Sequence, residues 1–421
     1  MIQRVNCLVI GGGAAGFFGA ITCAQHHPGL SVLVLEGGRD FLSKVKISGG
    51  GRCNVTHHCF EPAQLVLNYP RGAKALRGAF NRFQPQDTIA WFQNRGVALK
   101  TEADGRIFPV SDDAQTIVNC LVEAAREYGV QLRAQARVVA LDFLNPGFRV
   151  TLHNGEQWQS ERLLLATGSN PSAYRWLEAL GHRLETPVPS LFTFNVPDVR
   201  LQSLAGLTVD PVAITLLDAG DRPLKTLHQQ GPLLITHWGL SGPAVLKLSA
   251  WGARFLHQQK YQARLRLNWL PPHNPQSLAE EIKNYKSQYP RRQIRSQCPW
   301  GLPKRLWQNL LAPLALKPNL TWAELSNQHL SSLARELTQG TYAITGKGQF
   351  KEEFVTCGGL ALAEVNFATL ESRRCGGLFL AGEILDIDGI TGGFNFQAAW
   401  TTGWLAGRGL ANFTPAATNI A

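Results

Sequence analysis

Glycines near the start of the chain have the spacing of a phosphate-binding turn. Gly11, Gly13 and Gly16 follow the apolar run 7–10 and open an alanine-rich stretch that is predicted to be helical. In such a turn the first glycine makes the bend, the second lets the backbone approach a pyrophosphate, and the third lets the helix pack closely on the strand. The phosphates then lie at the positive helix N-terminus, beside Ala15. The chemistry predicted here is the binding of a dinucleotide.

An acidic residue follows at the distance that a dinucleotide site requires. Glu36 ends a second predicted strand, 31–35, about twenty residues after the glycines, where a carboxylate accepts hydrogen bonds from a ribose. Glycine-rich turns also occur for packing alone, but strand, helix, second strand and terminal acid all match here. NAD and FAD share this pattern, so the turn by itself leaves the choice between them open.

A second glycine-rich signature near the end of the chain favours a flavin. The run 377–383 predicts a strand that ends in a loop, and the acid of that loop is suited to a ribityl hydroxyl. A predicted helix from 395 to 407 follows a glycine pair, and its N-terminus would stabilise an anionic reduced isoalloxazine. A flexible turn before the last helix is the alternative interpretation. The residues assigned to FAD in this part of the chain are Gly382, Glu383, Gly392, Gly393, Phe394 and Asn395.

Four segments together resemble a known family. The segments 46–56, 236–246, 355–360 and 382–397 are similar to those of the bacterial FAD-containing proteins that include aminoacetone oxidase and a bile-acid enone reductase. The resemblance spans nearly the whole chain and implies an FAD domain interrupted by a β-barrel-like piece and a helical piece. It also implies that a loop surrounds the flavin ring, with the residues Gly49, Gly50, Gly51, Arg52 and Asn54.

The predicted fold class is α/β, a Rossmann-like FAD-binding domain whose parallel sheet carries a small antiparallel insertion. Strand patterns at 136–143 and 148–152 flank a turn and form this insertion, in which Val138 is assigned to the cofactor. The run 162–168 returns to the parallel sheet, and Thr167 and Gly168 at its end resemble a second flavin-contacting turn. Family members commonly have another glycine next, whereas this chain has Ser169.

Composition shifts suggest where the insert begins and ends. Residues 1–190 are predicted to form the first part of the FAD-binding domain and residues 346–421 the second part. The insert, 191–345, reads as β-rich over 191–270 and helical over 271–340. Its predicted strands include 191–196, 212–217 and 233–236.

Length and cysteine usage exclude several classes of protein. With 421 residues the chain is long enough for two or three domains. No basic and apolar signal precedes the first strand and no apolar run is long enough for a bilayer, so we expect a cytoplasmic protein. Eight cysteines are scattered without CxxC pairs, which predicts neither a disulfide framework nor a metal site.

A formal charge of +11 raises the alternative of a nucleic-acid-binding protein. Lysines and arginines far outnumber acids between Arg254 and Arg305, and aromatic residues are interleaved with them, as base stacking would require. No recognised nucleic-acid motif accompanies this charge, so a solvated basic face is the favoured interpretation and a small-molecule substrate is expected. Such a face would also attract anionic substrates or NADPH. The sequence leaves the oligomeric state open.

Three reaction classes are compatible with a flavin. The first is hydride transfer from NAD(P)H through FAD to an activated double bond, and the second is oxidation of a small amine such as aminoacetone. Thiol–disulfide exchange is disfavoured, because Cys53 and Cys59 are separated by five residues rather than four and no second dinucleotide fingerprint follows. An FAD-bearing nucleic-acid-binding or redox-sensing module is the non-enzymatic alternative.

Cationic residues in or near the motifs are the candidates for catalysis, because hydride transfer requires charge compensation. Arg52 lies beside the predicted flavin loop and Lys46 precedes it, while Arg106, His237 and Lys347 are candidates by position. Each also has a structural interpretation. Arg52 would then brace the glycine loop, His237 would be a hydrogen-bonded residue at a strand end, and Lys347 would be solvated.

Overall fold

The computed structural model describes residues 2–348 and 355–414 of the chain. Contacts divide the described chain into two units. The first unit comprises the chain up to Val188 and from Val355 onward, and the second unit begins at Pro189.

The first unit is built on a nine-stranded sheet with a parallel centre. The strand order is β19-β20-β21-β9-β1-β2-β6, and β8 joins β9 and carries β7. Strands β21, β9, β1, β2 and β6 run parallel, whereas β7, β8, β19 and β20 pair antiparallel. The nine strands are β1 (Ile2–Ile10), β2 (Val32–Leu35), β6 (Gln131–Arg133), β7 (Val138–Phe143), β8 (Phe148–Leu152), β9 (Gln157–Leu165), β19 (Val365–Asn366), β20 (Glu371–Ser372) and β21 (Leu378–Leu380).

Shorter strands and eight helices complete this unit. Strands β3, β4 and β5 form a three-stranded sheet, and β10 pairs with β18. These strands are β3 (Thr56–His57), β4 (Leu99–Thr101), β5 (Arg106–Pro109), β10 (Leu184–Ser190) and β18 (Val355–Leu360). The helices are α1 (Ala14–His26), α2 (Ser43–Gly51), α3 (Pro62–Leu65), α4 (Ala73–Phe80), α5 (Pro85–Gln93), α6 (Ala114–Glu127), α7 (Pro171–Ala179) and α13 (Phe394–Asn412).

The central strands and α1 are apolar because they are buried on all sides. All four residues of β2 are buried, and so is every residue of α1 from Ala15 to Ala24. Continuous apolar runs of this kind are typical of parallel sheets that are covered on both faces. The α/β class, the parallel sheet and its antiparallel insertion are therefore confirmed.

The second unit contains a seven-stranded antiparallel sheet and a helical part. The strand order is β16-β15-β12-β13-β14-β11-β17. Its strands are β11 (Phe194–Asn195), β12 (Thr208–Leu217), β13 (Pro223–Ile235), β14 (Gly239–Ser241), β15 (Ala263–Asn268), β16 (Gly340–Ile344) and β17 (Gly346–Lys347). Its helices are α8 (Pro243–Trp251), α9 (Ala253–Gln258), α10 (Pro275–Gln288), α11 (Lys304–Leu311) and α12 (Asn327–Gln339). Trp269, Trp307 and Trp322 lie in its hydrophobic core.

Two helices lie where the sequence predicted only strands. The helices α8 and α9 fall inside the segment 191–270, and α8 buries Ala244, Val245 and Leu248. These apolar positions recur with helical spacing, and Pro243 stands at the first helical turn, where its missing N–H costs nothing. The predicted strand 191–196 is also shorter, with only Phe194–Asn195 in β11. No helix in the described part of the chain is long and apolar enough to cross a membrane.

Candidate active site

The carboxyl ends of four parallel strands meet in one row. Leu380 of β21 is in register with Leu165 of β9, which pairs with Ile10 of β1, which in turn pairs with Leu35 of β2. Ligands of open parallel sheets bind outside this edge. Six residues that lie one to three positions after these strand ends were assigned to the cofactor from the sequence, and they are Gly11, Glu36, Thr167, Gly168, Gly382 and Glu383.

Each glycine of the first turn has a distinct environment. At Gly11, whose φ is +108°, a Cβ would lie 2.3 Å from the Ala166 carbonyl oxygen. At Gly16 a Cβ would lie 2.0 Å from the Gly11 oxygen, so only glycine allows α1 to approach β1 this closely. At Gly13 a Cβ would meet no atom within 4 Å. Gly13 therefore faces open space at the helix N-terminus, where a pyrophosphate would fit.

The N-terminus of α1 is suited to an anion. No side chain caps it and its first turn contains no acidic residue. The neighbouring Thr167 hydroxyl is buried and has no hydrogen-bond partner. Uncapped N–H groups and the positive end of the helix dipole bind phosphate, and a buried hydroxyl needs a partner. Ala15 contacts the opposite loop, because a Cβ at Gly382 would lie 2.8 Å from the Ala15 Cβ.

Glu36 organises the backbone where an adenosine would bind. Its Oε2 accepts a hydrogen bond from the Gly12 amide at 2.8 Å, and its Oε1 accepts one from the Gly38 amide at 2.7 Å. A carboxylate has about four acceptor positions, so positions remain for ribose hydroxyls. The Ala136 amide donates to the Glu36 carbonyl oxygen, and the buried Val138 opens β7 two residues later. Val138 thus lies in the segment that borders Glu36.

The second flavin-contacting turn brings Glu383 next to Gly168. A Cβ at Gly168 would lie 3.4 Å from Glu383 Oε2. That oxygen also pairs with Lys44 Nζ at 2.7 Å, and Oε1 accepts from the Thr356 amide at 2.9 Å. Sequence reasoning missed Lys44 and selected Lys46 from the same Lys-Val-Lys segment. Ser169 does not adopt a positive φ, so the backbone beyond Gly168 accommodates serine.

The N-terminus of α13 is the second uncapped helix end. Gly393 is its N-cap, no side chain caps it, and its first turn contains no acidic residue. With its amide oriented to match its neighbours, Asn54 accepts from the Gly393 amide at 2.9 Å and donates to the Thr56 carbonyl at 2.9 Å. The side chain of Asn395 bonds to both backbone groups of Gly389.

Uncharged side chains brace the first two turns of α13. The buried Gln397 Oε1 accepts from the hydroxyls of Thr56 at 2.6 Å and Thr88 at 3.0 Å. The Tyr69 hydroxyl donates to the Phe394 carbonyl at 2.6 Å, and the Trp400 indole donates to the Val55 carbonyl at 2.9 Å. Sequence reasoning missed these residues, although a glutamine and threonines within apolar segments were a signal that each needs a partner.

The helices α1 and α13 are parallel and touch through small residues. A Cβ at Gly403 would lie 2.6 Å from the Ala15 oxygen, and one at Gly407 would lie 2.5 Å from the Gly19 oxygen. Gly403 is nine residues into α13, whereas Ala15 is one residue into α1. At 1.5 Å per residue, α13 begins about 12 Å before α1 along their common direction. Two positive helix ends thus face the same way, one beyond the other.

Arg52 and Arg106 form one cluster around Glu102. Arg52 Nη1 pairs with Glu102 Oε1 at 2.7 Å, and Arg106 Nη2 pairs with Oε2 at 2.9 Å. The Arg52 guanidinium also stacks over the Phe108 ring at 4.0 Å. A Cβ at Gly49 would lie 3.1 Å from Phe108, so this cluster supports the loop of Gly49, Gly50 and Gly51.

The other candidate cations form no ion pair with Glu102 among the described residues. Lys46 is exposed on α2. His237 and Lys347 belong to the second unit, where His237 is exposed in the turn before β14 and Lys347 lies over the Tyr261 ring. Their catalytic roles stay predictions.

The cysteine pair that resembles a redox motif is in the thiol form, and Cys53 is buried. Cys53 and Cys59 are not joined by a disulfide. Burial raises the pKa of the Cys53 thiol to about 12, so it is protonated at neutral pH. Since the thiolate is the reactive form, disulfide exchange finds no support here.

The open space at Gly13, the unpartnered Thr167 hydroxyl and the two uncapped helix ends fit the pyrophosphate and the ring of FAD. This sheet and site define an FAD-dependent oxidoreductase, as the sequence predicted. The chain belongs to the family described as HI0933-like protein Rossmann domain, whose model matches residues 5–409.

Two relatives are similar over almost their full length. The chain is 30% identical over 411 residues to the 3-dehydro-bile acid delta(4,6)-reductase of Clostridium scindens, covering 96% of this chain and 98% of that protein. It is 30% identical over 420 residues to the ribosomal RNA dihydrouridine synthase of Escherichia coli, covering 97% of this chain and 98% of that protein. Among solved structures, the 3-ketosteroid-delta4-(5alpha)-dehydrogenase of Rhodococcus jostii superposes with a TM-score of 0.50 at 15% identity, over 97% of each chain. At this identity the last similarity concerns the fold alone.

Proposed function

We propose that this protein is a reductase that uses FAD to reduce a carbon–carbon double bond conjugated with a carbonyl group. The observation that carries the proposal is the braced, uncapped N-terminus of α13. The side chains that hold it, Asn54, Tyr69 and Gln397, are uncharged, so they leave the positive end of the helix uncompensated. Nearby Asp388 is paired with Arg71. Such a helix end stabilises negative charge on a reduced flavin.

The names of the two relatives describe the same bond chemistry. A 3-dehydro delta(4,6) bile acid has double bonds conjugated with its 3-oxo group. Dihydrouridine differs from uridine by reduction of the C5=C6 bond, which is conjugated with the C4 carbonyl. The reaction shared by both names supports reduction of a conjugated double bond more strongly than oxidation of an amine.

The reaction balances with one hydride and one proton. Once reduced, a bound flavin would supply the hydride to the carbon that is β to the carbonyl and would return to oxidised FAD, and the α carbon would take a proton. The two electrons come from NADPH or NADH, which we propose as the donor. Arg52, Arg106 and Lys46 are the cations of the first unit that we propose for compensating the charge on the carbonyl oxygen.

The charge distribution supports a uracil base of RNA as the substrate. Residues 189–348 contain 18 Lys and Arg but only 8 Asp and Glu, a net charge of +10. The rest of the chain contains 23 Lys and Arg and 22 Asp and Glu, a net charge of +1. An excess of positive charge concentrated in one unit is an electrostatic feature of nucleic-acid-binding proteins. We therefore propose RNA in place of the small molecule that the sequence led us to expect.

The test compares the two substrate classes directly. Holoenzyme and NADPH are incubated with unmodified ribosomal RNA or with a 3-oxo-delta(4,6) steroid, and the products are analysed by mass spectrometry. We expect a gain of two hydrogens on uridine. A gain of two hydrogens on the steroid alone would contradict the RNA substrate but would still support a reductase. Absence of both gains, with oxygen consumed in the presence of aminoacetone, would contradict the reductase.

A further inference from the structure

We propose that the turn between β13 and β14, residues 236–238, is a base-stacking element that holds an unpaired base of RNA against Trp238. This inference rests on the RNA substrate of the proposed function. It names the part of the second unit that contacts a base rather than the phosphate backbone.

The turn is rigid because its own hydrogen bonds close it. The Thr236 amide donates to the Gly239 carbonyl at 2.8 Å. The Thr236 hydroxyl oxygen accepts from the Trp238 amide at 3.3 Å and from the Gly239 amide at 3.1 Å. The strands on either side are paired, with Ile235 opposite Leu240. The position of residue 238 is therefore set before any ligand binds.

Contacts with β11 fix the base of the turn. The Val196 amide donates to the Trp238 carbonyl at 2.9 Å. A Cβ at Gly239 would lie 2.3 Å from the Phe194 oxygen, so the two segments are as close as glycine permits. Phe194 and Leu240 are buried in the hydrophobic core. The backbone of the turn is thus anchored while its tip faces outward.

The indole at the tip is exposed. Trp238 is 72% exposed, whereas Trp269, Trp307 and Trp322 of the same unit are at most 1% exposed. An aromatic side chain on a fixed backbone loses little conformational entropy when it stacks on a base. Base–aromatic stacking is how single-stranded RNA is commonly held.

The electrostatic surroundings favour RNA over an apolar protein surface. Residues 189–348 have a net charge of +10, and His237 beside Trp238 is also exposed. The acid that follows Val196 in the contacting segment is Asp198, whose carboxylate is paired with Arg200 at 2.7 Å. The Arg200 guanidinium lowers the pKa of Asp198 against the effect of its burial, and it also pairs with Glu336 at 2.7 Å, so one arginine is shared by two carboxylates. A polyanion with planar bases matches both the charge and the aromatic tip.

The experiment measures binding of the full-length holoprotein to a fluorescein-labelled 12-nucleotide oligouridylate and to fluorescein-labelled heparin, which has charge but no bases. Trp238→Ala and Trp238→Phe are compared with the control Trp251→Ala, which changes a tryptophan that is 38% exposed at the end of α8. Retained FAD and an unchanged melting temperature show that each variant is folded.

We expect Trp238→Ala to weaken oligouridylate binding about tenfold or more and to leave heparin binding within twofold of the wild type. Trp238→Phe should retain most of the affinity, and Trp251→Ala should not change it. If Trp238→Ala binds oligouridylate with wild-type affinity, or loses as much affinity for heparin as for oligouridylate, the stacking role of Trp238 is overturned. The RNA substrate would not be affected by that result. A wild-type protein that reduces the steroid and binds no oligouridylate at low salt would overturn both the RNA substrate and the inference.

Discussion

Gly13 and Gly16 are three residues apart, yet they have different roles. The open space at Gly13 is where the cofactor would bind, whereas the absence of a side chain at Gly16 is required for α1 to pack on β1. The conformation of Gly13, with φ −92° and ψ −169°, is accessible to any residue. A side chain at position 13 therefore competes with phosphate and not with protein atoms.

Replacing Gly13 by valine should abolish FAD binding and leave the apoprotein folded. We expect its free energy of unfolding to stay within about 1 kcal/mol of the wild-type apoprotein, since an N-cap change has that size. The control Gly16→Ala should lower that free energy by roughly 1–3 kcal/mol, because its Cβ meets backbone oxygen. Urea unfolding and the visible flavin spectrum measure both effects. A yellow, FAD-loaded Gly13→Val protein would contradict the assignment of the turn.

Glu36→Ala should weaken FAD binding at least about tenfold, because it removes the charged acceptor for the ribose hydroxyls. The sheet should remain folded, since Glu36 follows β2 and is only half-buried. Glu36→Gln, which keeps one acceptor oxygen, should be intermediate. FAD dissociation constants from fluorescence titration give the comparison. Equal affinity of Glu36→Ala and the wild type would exclude the ribose role.

Sequence reasoning reached the residues that follow strand ends and missed those that act through a partner far along the chain. Glycines and Glu36 were predicted because their spacing from a strand has a physical reason. Lys44 was missed because its partner, Glu383, is 339 residues away. Tyr69 and Gln397 were missed for the same reason, since neither neighbourhood in the sequence contains the group that it contacts.

At the scale of elements, the position of α13 depends on a buried polar network. Gln397→Leu would leave the hydroxyls of Thr56 and Thr88 without their acceptor. We expect a loss of about 2–4 kcal/mol in the free energy of unfolding, measured in urea. Thr88→Val, which removes one donor, should cost about 1 kcal/mol. A Gln397→Leu protein as stable as the wild type would show that the network does not hold the helix.

The link between the end of α7 and β20 predicts a pH-dependent stability. The Ser372 hydroxyl oxygen accepts from the amides of Arg374 and Cys375, so its proton is donated to His182 Nε2 at 2.7 Å. The other ring nitrogen donates to the Leu177 carbonyl. Burial lowers the pKa of His182 below its usual value of 6.5. The neutral ring is therefore the form that fits the folded protein.

Because the unfolded state takes up the proton more readily, this contribution to stability is full above pH 6.5 and decreases as the pH falls below it. We expect the free energy of unfolding to fall between pH 7 and pH 5, and His182→Asn to reduce that slope. Urea titrations across this range measure it. An unchanged slope in His182→Asn would assign the pH dependence to other groups.

Elements with a strong pattern were predictable from the sequence, and elements defined by packing were not. The strand β2 and the hairpin of β7 and β8 lie where the sequence predicted them. The helices α8 and α9 were missed because short apolar runs fit either structure. The parallel contact of α1 with α13 depends on the glycines at 403 and 407. Their role in this contact cannot be seen in the sequence, because it arises only where the two helices pack together.

For the whole molecule, chemistry and charge are divided between the two units. The first unit contains the residues that fit FAD and is almost neutral, whereas residues 189–348 carry a net charge of +10. A basic unit of this kind attracts anions, which include NADPH as well as RNA. We propose that it holds the RNA on which the catalytic unit acts.

The most direct test of the reductase is a half-reaction without oxygen. The holoenzyme is reduced with one equivalent of dithionite, unmodified ribosomal RNA is added, and the visible flavin spectrum is recorded. We predict that the oxidised spectrum returns in step with the formation of dihydrouridine. A flavin that stays reduced in the presence of both the RNA and a conjugated steroid ketone, and is reoxidised only by oxygen, would contradict the account.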